Sequence, residues 1–400
     1  MGNVFETYTQ CCTGVDDSTK KAIYEPLRDD EKTIKKESKS NDIIKKTSYY
    51  IAFNEALTNN ATFHYTIVST KLNESTKESS IEMKCNGNDD ELLNAGERVT
   101  DVTNVNKNGE IYLLIRKRVK NDDYNELQRY KINNYPNIFI DGNIKDISFK
   151  YIDKIERFLD ETRTNIEGIE VVYGNDMQNV GFIMVNDYFN ASDHSQIYFM
   201  NIHNKIVKKI YSFGDEGKMQ LSCINYFNGF NYDGYIFLPQ TCHLDGSAFE
   251  NWLTNNEGEA KVYFMKRKDI LSKIKSMDET KDDNVINDIE MNLDAIECTL
   301  KGFDSDKNLF KQYNKSKGYT LKGFEALAFD HNFNGLLTFE VMDTNVGKES
   351  TFNFIIHCKF ILNDKHKLTL RINVSDYKII RNNGGSHSRS QESLLHVLSQ

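Results

Sequence analysis

Short runs of β-branched and aromatic residues, separated by Asn, Gly and Asp, recur along the chain and constrain its fold more than any other feature. Residues 62–68, 181–185 and 205–211 are three examples. Runs of this length and composition predict strands, and their regular spacing is typical of antiparallel sandwiches or barrels. The Asn-Ile-His-Asn segment at 201–204 lies between two such runs and fits a hairpin loop.

Helical spacing of apolar residues occurs in three places. The spacing predicts a helix over 147–164, where Ile152 and Ile155 are three residues apart, an amphipathic helix over 269–277, and a helical stretch over 309–324. The predicted fold is therefore mainly β with a few helices, a β-rich α+β chain. A strand-rich unit closed by a helix is also compatible with a pleckstrin-homology-like barrel, by fold analogy alone.

Four hundred residues exceed one typical core, so we expect two or three sandwich-like or barrel-like domains. An acidic, polar break after residue 278 marks one boundary. The predicted organisation is a disordered tether at 1–45, β-rich domains at 46–165 and 166–280, the second closed by a helix, an α+β or pleckstrin-homology-like domain at 285–384, and a flexible tail at 385–400. Within the tail, 392–398 is predicted to form one or two helical turns.

The net charge is −9, with a pI near 5.6. Nucleic-acid binding needs a basic face, so the composition argues against a nucleic-acid partner. One basic run is a candidate site for lipid head groups: Arg116, Lys117, Arg118 and Lys120. The alternative is the solvated end of an edge strand, where charges deter sheet-to-sheet aggregation, and the shortness of the run favours it.

The first dozen residues carry the pattern of a lipid anchor. Removal of the initiator Met leaves Gly2 at the N-terminus, where N-myristoylation occurs, and Cys11 and Cys12 follow as thiols for palmitoylation. A single myristoyl chain binds a bilayer only marginally, so the two cysteines would supply the second anchor. Glu6 stands where the myristoylation pattern has Ser or Thr. We predict lipidation at Gly2, Cys11 and Cys12.

This N-terminus resembles those of acylated pellicle and organelle-surface proteins of apicomplexan parasites, which include inner-membrane-complex and pleckstrin-homology-type proteins. The match rests on Met1, Gly2, Asn3, Cys11 and Cys12. The resemblance implies a β-rich scaffold or lipid-binding or protein-binding adaptor. It would sit on the cytosolic face of the plasma membrane, pellicle or an organelle, with membrane lipids, through its acyl chains, and proteins as partners. The alternative is a soluble cytoplasmic interaction scaffold.

No run approaches the roughly 18 apolar residues that span a bilayer, and no apolar region follows Met1. Seven scattered cysteines do not indicate a disulfide framework. We therefore expect neither a secreted nor a transmembrane protein.

Residues 330–341 partly match an EF-hand calcium loop. Oxygen ligands are available at loop positions one, three, five and nine, which are Asp330, Asn332, Asn334 and Thr338. Val341 stands where the bidentate Glu is needed, so we predict no calcium binding at signalling concentrations. We expect instead a β-turn in which Asn334 and Gly335 have positive φ.

None of the common catalytic patterns occurs: no paired Cys-X-X-Cys, His-Glu-X-X-His, phosphate-binding loop or nucleophile elbow. The sequence therefore predicts a protein that is not an enzyme and has no cofactor. The competing possibility is an unrecognised enzyme, or a calcium-binding protein, whose site forms only in three dimensions.

Overall fold

The computed structural model describes the chain in segments. These are residues 49–57, 62–69, 77–82, 98–106, 108–119, 122–133, 135, 139–140, 143–144, 148–158, 166–186, 196–212, 221–239, 246–279, 293–312, 319–330, 332–343, 348–349, 352–381 and 393–397. Most of these residues lie in strands, and nearly all strand pairs are antiparallel. The predicted mainly β fold with antiparallel sheets is confirmed.

The long strands group into five antiparallel units of four strands, which we call blades 1 to 5. Blade 1 contains β23 (Ser393–Val397), β1 (Tyr49–Leu57), β2 (Thr62–Ser69) and β3 (Lys77–Glu82). Blade 2 contains β4 (Arg98–Val102), β5 (Glu110–Val119), β6 (Asp122–Ile132) and β9 (Phe149–Phe158). Blade 3 contains β10 (Ile166–Tyr173), β11 (Asn179–Asn186), β12 (Gln196–Asn201) and β13 (Val207–Ser212).

Two further blades complete the set. Blade 4 contains β14 (Leu221–Gly229), β15 (Tyr232–Pro239), β16 (Ala260–Lys266) and β17 (Asp294–Lys301). Blade 5 contains β18 (Tyr319–Phe329), β19 (Asn334–Asp343), β21 (Phe352–Leu362) and β22 (Leu368–Arg381). The remaining elements are β7 (Phe139–Ile140), β8 (Asn143–Ile144), β20 (Lys348–Glu349), and helices α1 (Gly246–Asn255), α2 (Arg267–Glu279) and α3 (Leu309–Gln312).

The first strands of the five blades contact one another in a closed cycle, which we call the inner ring. Within it β4 contacts β23 and β10, β14 contacts β10 and β18, and β18 contacts β23. Four-stranded blades arranged around a common axis define a β-propeller. Because β23 comes from the C-terminal end and pairs with β1, the two ends of the described chain together build blade 1 and close the ring.

Apolar side chains fill the spaces between neighbouring blades. Since residues alternate faces along a strand, β10 directs Ile169 and Val171 into the blade 2–3 core and Val172 into the blade 3–4 core. The blade 4–5 core is the largest and is rich in aromatic rings: it includes Phe227, Trp252, Phe324, Phe339 and Phe360. Each blade is therefore buried on its faces by its neighbours, and the strands need apolar residues on both sides.

Neighbouring blades also join at other edges. The outer strands β17 and β22 pair in parallel, so blades 4 and 5, together with β20 on β19, form one nine-stranded sheet. The pair Ala56–Arg98 links blades 1 and 2. The break predicted between 280 and 285 lies between β16 and β17, which pair with each other. One sheet thus includes strands from both predicted domains, and the pleckstrin-homology-like arrangement is not confirmed.

The helix predicted over 147–164 is wrong: residues 149–158 form strand β9, which pairs with β6. The register along β6 skips Ile155 and then Ile152, so each is the extra residue of a β-bulge. Two bulges three residues apart shift the apolar positions of the strand to a spacing that mimics a helix.

The other helix predictions had mixed outcomes. The amphipathic helix over 269–277 is confirmed as α2, whereas only Leu309–Gln312 of the predicted 309–324 stretch is helical and Tyr319–Phe329 is strand. The C-terminal helical turns are wrong, because Ser393–Val397 pairs with β1. The predicted hairpin loop at 201–204 is confirmed between β12 and β13. The tether at 1–45 lies outside the described residues.

Candidate functional site

The predicted lipidation residues Gly2, Cys11 and Cys12 lie outside the described residues. Among the helices that the structure describes, none is long and apolar enough to cross a membrane.

The basic run falls on β5, except for Lys120, which lies outside the described residues. Arg116 pairs with Arg98 of β4 on one side and with Asn125 of β6 on the other, and Lys117 and Arg118 continue the pairing with β6. Arg116 therefore lies between two strands, whereas Lys117 and Arg118 pair with β6 alone, so the edge-strand interpretation is wrong only for Arg116. The head-group interpretation stays a prediction.

The partial calcium loop is a tight turn between β18 and β19. Asp330 Oδ1 accepts the backbone N–H groups of Asn332 (2.8 Å) and Asn334 (3.1 Å), and the Asp330 N–H donates to the Asn334 carbonyl (2.8 Å). Thr338 is fully buried, and its Oγ1 accepts the Ala326 N–H at 2.8 Å. The side-chain oxygens of Asp330 and Thr338 therefore accept hydrogen bonds from the backbone of the turn and of strand β18, as in a β-hairpin.

The predicted backbone of this turn needs one correction. Phe333 takes the positive φ (62°), rather than Asn334 and Gly335. Its ring packs against Phe227 and Phe230, with centroid distances of 5.2 and 4.6 Å, which stabilises the strained residue. Gly335 is needed for close approach instead, because a Cβ there would lie 2.5 Å from the Ala328 carbonyl oxygen. Within the described segments no group of three or more His, Cys, Asp or Glu side chains is placed to hold a metal ion.

A different group of polar side chains lies at the inner ring, where blades 2, 3 and 4 meet. We call Asp101, Asn104 and Glu170 the junction site. Glu170 lies on β10 and is 1% exposed. Its carboxyl accepts Asn104 Nδ2 at 2.8 Å and the Val171 N–H at 2.7 Å, and the Tyr226 N–H of β14 is a further donor to it.

Burial controls the charge of Glu170. Loss of water raises the pKa of its carboxyl from the ordinary value of 4.5 to about 7, against the opposing effect of the hydrogen-bond donors. A carboxyl with this pKa is present in both its protonated and ionised forms at neutral pH, so it can donate or accept a proton there.

Asp101, at the end of β4, is the second carboxyl of the junction site. It is 1% exposed, and its Oδ2 accepts the Ile169 N–H at 2.6 Å, which links blade 2 to blade 3. Burial raises the pKa of Asp101 well above its usual range, and the nearby Glu170 raises it further. Burial therefore favours the protonated form of both carboxyls, and Glu170 is the one that titrates near neutrality.

Strand β14 covers the junction site from blade 4. The Asn225 Nδ2 donates to the Leu327 carbonyl of β18 at 2.7 Å, so this side chain connects blades 4 and 5. The buried Cys223 thiol lies near both carboxyls, and burial raises its pKa well above the ordinary value. A thiol in this environment stays protonated and unreactive.

Beside the junction site lie two partly exposed tyrosines, Tyr173 at the end of β10 and Tyr226 within β14, which we call the tyrosine platform. Their ring centroids are 5.1 Å apart. The Tyr226 hydroxyl donates to Asp233 Oδ1 at 2.9 Å, and Asp233 is in turn bound by Arg267 at 2.7–3.0 Å. Arg267 also donates to the Tyr173 and Gly174 carbonyls, at 3.1 and 2.7 Å.

Sequence reasoning treated 169–173 as a strand and did not single out Glu170. The available signal was a carboxylate inside a run of apolar residues, Ile-Glu-Val-Val, in a strand apolar on both faces. The partners Asn104 and Tyr226 come from other blades, 66 and 56 residues away in sequence, and no local pattern indicates them.

No protein-family model and no curated protein matches the chain. Solved structures give weak similarities. A GH43 β-1,3-galactosidase with galactodeoxynojirimycin is 8% identical, with 80% of this chain and 92% of that chain covered and a TM-score of 0.37. A periplasmic gluconolactonase of Pseudomonas aeruginosa is 7% identical, covering 81% and 82% at a TM-score of 0.32. Apo AztD from Citrobacter koseri is 6% identical, covering 88% and 98% at 0.28.

The descriptions of these three structures mention neither a membrane scaffold nor a lipid adaptor. The predicted function, a lipid-anchored peripheral membrane scaffold or its soluble alternative, is therefore contradicted. The resemblance to acylated apicomplexan proteins concerned about a dozen N-terminal residues and carries no information about the chemistry of the blades.

Proposed function

We propose that the chain is a hydrolase in which Glu170 is the general acid–base residue. The observation that carries this proposal is a carboxyl with a pKa of about 7, placed where three blades of the propeller meet. General acid–base catalysis at neutral pH needs a group whose two protonation states are both populated. The earlier prediction of a protein without catalytic activity rested on local motifs, and a site assembled from three blades has none.

Access to Glu170 runs through Asn104. Asn104 is partly exposed and donates to Glu170, so we propose that a substrate reaches the carboxyl past this residue. The Asn104 Oδ1 is buried and has no hydrogen-bond partner among the described residues. A substrate hydroxyl could replace the Asn104 Nδ2 as the partner of Glu170. It would accept a hydrogen bond from the protonated Glu170 carboxyl and donate its own hydrogen to Asn104 Oδ1.

The reaction then needs one water and one titrating carboxyl. Protonated Glu170 gives its proton to the oxygen of the leaving group as that bond breaks. The resulting carboxylate accepts a proton from the attacking water, which restores the acid. Burial raises the pKa of Asp101, and the Ile169 N–H that donates to its Oδ2 fixes the adjacent backbone.

The test is hydrolysis by the purified full chain of a panel of 4-nitrophenyl glycosides, 4-nitrophenyl esters and sugar lactones between pH 5 and 9. We expect turnover with a pH limb near 7, lowered by about 100-fold or more in Glu170→Gln. Glu259→Gln is the matched control, because Glu259 is exposed and lies outside the junction site. Absence of turnover across the panel, or equal turnover by the wild type and Glu170→Gln, would reject the proposal.

A further inference from the structure

The tyrosine platform is held in place by both hydrogen bonds and ring contacts. The Tyr235 hydroxyl donates to the Val171 carbonyl at 3.0 Å and accepts the Tyr173 N–H at 3.2 Å. Its ring also packs on Tyr226, with centroids 5.4 Å apart. Together with Asp233 and Arg267, these contacts hold the Tyr226 ring and the Tyr173 backbone, and the Tyr173 ring packs on Tyr226.

The platform combines two surfaces of different chemistry. Tyr173 and Tyr226 are both partly exposed and pack at the margins of the blade 2–3 and 3–4 cores. The Asp233 side chain is 41% exposed and that of Arg267 is 14% exposed, so a carboxylate and a guanidinium adjoin the rings. An apolar ring face with charged hydrogen-bonding groups at its edge fits a ligand that is apolar on one face and hydroxylated around its rim.

Sugar rings have this chemistry, since axial C–H groups form an apolar face and hydroxyls surround it. We propose that the tyrosine platform is a stacking subsite for a pyranose ring, with Asp233 and Arg267 binding its hydroxyls. The inference rests on the proposed hydrolase function and names its substrate class: a glycoside whose scissile bond lies toward Glu170. The Tyr226 N–H donates to Glu170, which places the platform directly beside the acid.

The fixed positions of these side chains favour a ligand-binding role for the tyrosine platform over a role limited to holding blades 3 and 4 together. A site whose side chains are already fixed loses little conformational entropy when the ligand arrives. A clamp between blades 3 and 4 needs only Arg267, Asp233 and the two carbonyls at Tyr173 and Gly174. The Tyr173 backbone makes the hydrogen bonds of that clamp, whereas its ring packs on Tyr226 and on the blade 2–3 core.

The experiment uses this difference between the ring and the backbone of Tyr173. Lactose, cellobiose and xylobiose are titrated by calorimetry into the full-length Glu170→Gln chain, which binds without turnover, and glycerol serves as a polyol without a ring face. We expect saturable binding of at least one disaccharide and none of glycerol. Tyr173→Leu, added to the same chain, removes the ring but keeps the backbone bonds, and should weaken binding by about tenfold or more.

Tyr226→Phe keeps the ring and loses the bond to Asp233, so its affinity should stay within about threefold of the parent. Thermal unfolding of each variant confirms that it is folded. The subsite is rejected if no disaccharide binds, or if Tyr173→Leu binds as tightly as the parent. If disaccharides bind but the wild type hydrolyses none of the substrates, the hydrolase proposal is rejected and the subsite proposal stands. If the wild type hydrolyses a glycoside and Tyr173→Leu does so with an unchanged KM, the subsite proposal is rejected and the hydrolase proposal stands.

Discussion

Replacing Glu170 with Gln should remove a large part of the pH dependence of stability between pH 4.5 and 7. In the folded chain Glu170 has a pKa of about 7, against an ordinary value of 4.5. Below pH 4.5 the group is protonated in both states. As the pH rises from 4.5 to 7 the unfolded chain releases its proton first, so the free energy of unfolding falls. Above pH 7 the loss is complete and constant.

The size of this effect follows from the two pKa values. Their difference corresponds to about 3 kcal/mol, since one pKa unit is worth about 1.4 kcal/mol. Gln cannot titrate, so the variant lacks this loss. It does place an amide NH₂ against either Asn104 or the Val171 N–H, which costs about 1–3 kcal/mol at every pH. The diagnostic quantity is therefore the change with pH.

Urea unfolding at pH 5 and pH 8, followed by fluorescence, measures this change. Trp252 is the single tryptophan and is 2% exposed in the blade 4–5 core, so its emission reports loss of that core. From pH 5 to pH 8 the wild type should lose about 2.5 kcal/mol relative to Glu170→Gln, since about 0.8 kcal/mol is already lost at pH 5. The control Glu259→Gln, at an exposed carboxyl, should follow the wild type. Equal pH dependence of the wild type and Glu170→Gln would refute the reasoning.

Four further predictions use the same chain. Tyr50→Phe removes the hydroxyl that donates to the Asn334 carbonyl at 2.9 Å, and should lower the free energy of unfolding by about 1 kcal/mol in the urea assay. Asp330→Ala should destabilise the turn by about 1–2 kcal/mol whether or not calcium is present, and calorimetric titration of the wild type with calcium should show no micromolar binding. The buried thiols of Cys298 and Cys358, whose pKa values burial raises, should react with iodoacetamide only after unfolding, which mass spectrometry of labelled peptides would reveal. Metabolic labelling with myristate and palmitate analogues should mark the chain, with the myristate signal lost in Gly2→Ala and the palmitate signal lost when Cys11 and Cys12 become Ser.

The sequence predicted strands well because their signal is local. The runs near β11, β12 and β21 have the β-branched and aromatic residues that a strand buried on both faces requires. Local signals failed where a strand departs from regular alternation. The bulges at Ile152 and Ile155 gave β9 a helical spacing, and the short apolar run of β23 indicated a helical turn because its partner β1 is more than 300 residues away.

The arrangement of blades depends on contacts that no local pattern contains. The acidic segment after β16 has the composition of a linker between domains, yet β16 and β17 pair on either side of it. A polar insertion between two strands of one sheet and a polar linker between two domains have the same composition. The inner ring likewise forms only when the first strands of all five blades come together. The spacing of residues in the sequence therefore could not predict the junction site, where blades 2, 3 and 4 meet.

A comparison of two buried glutamates shows why Glu170 is the one suited to proton transfer. Glu126 on β6 is 2% exposed, and it has a cationic neighbour, since Arg157 Nη2 lies 3.6 Å from its Oε2. The donors that lower the pKa of Glu170 are backbone N–H groups and the Asn104 amide, none of which carries a charge. Neutral donors only partly offset desolvation, so Glu170 keeps a pKa near 7 and destabilises the fold at neutral pH. A residue that lowers stability in a well-packed interior is more readily explained by function than by packing. We therefore expect Glu126→Gln to leave the pH limb of hydrolysis unchanged and Glu170→Gln to abolish it.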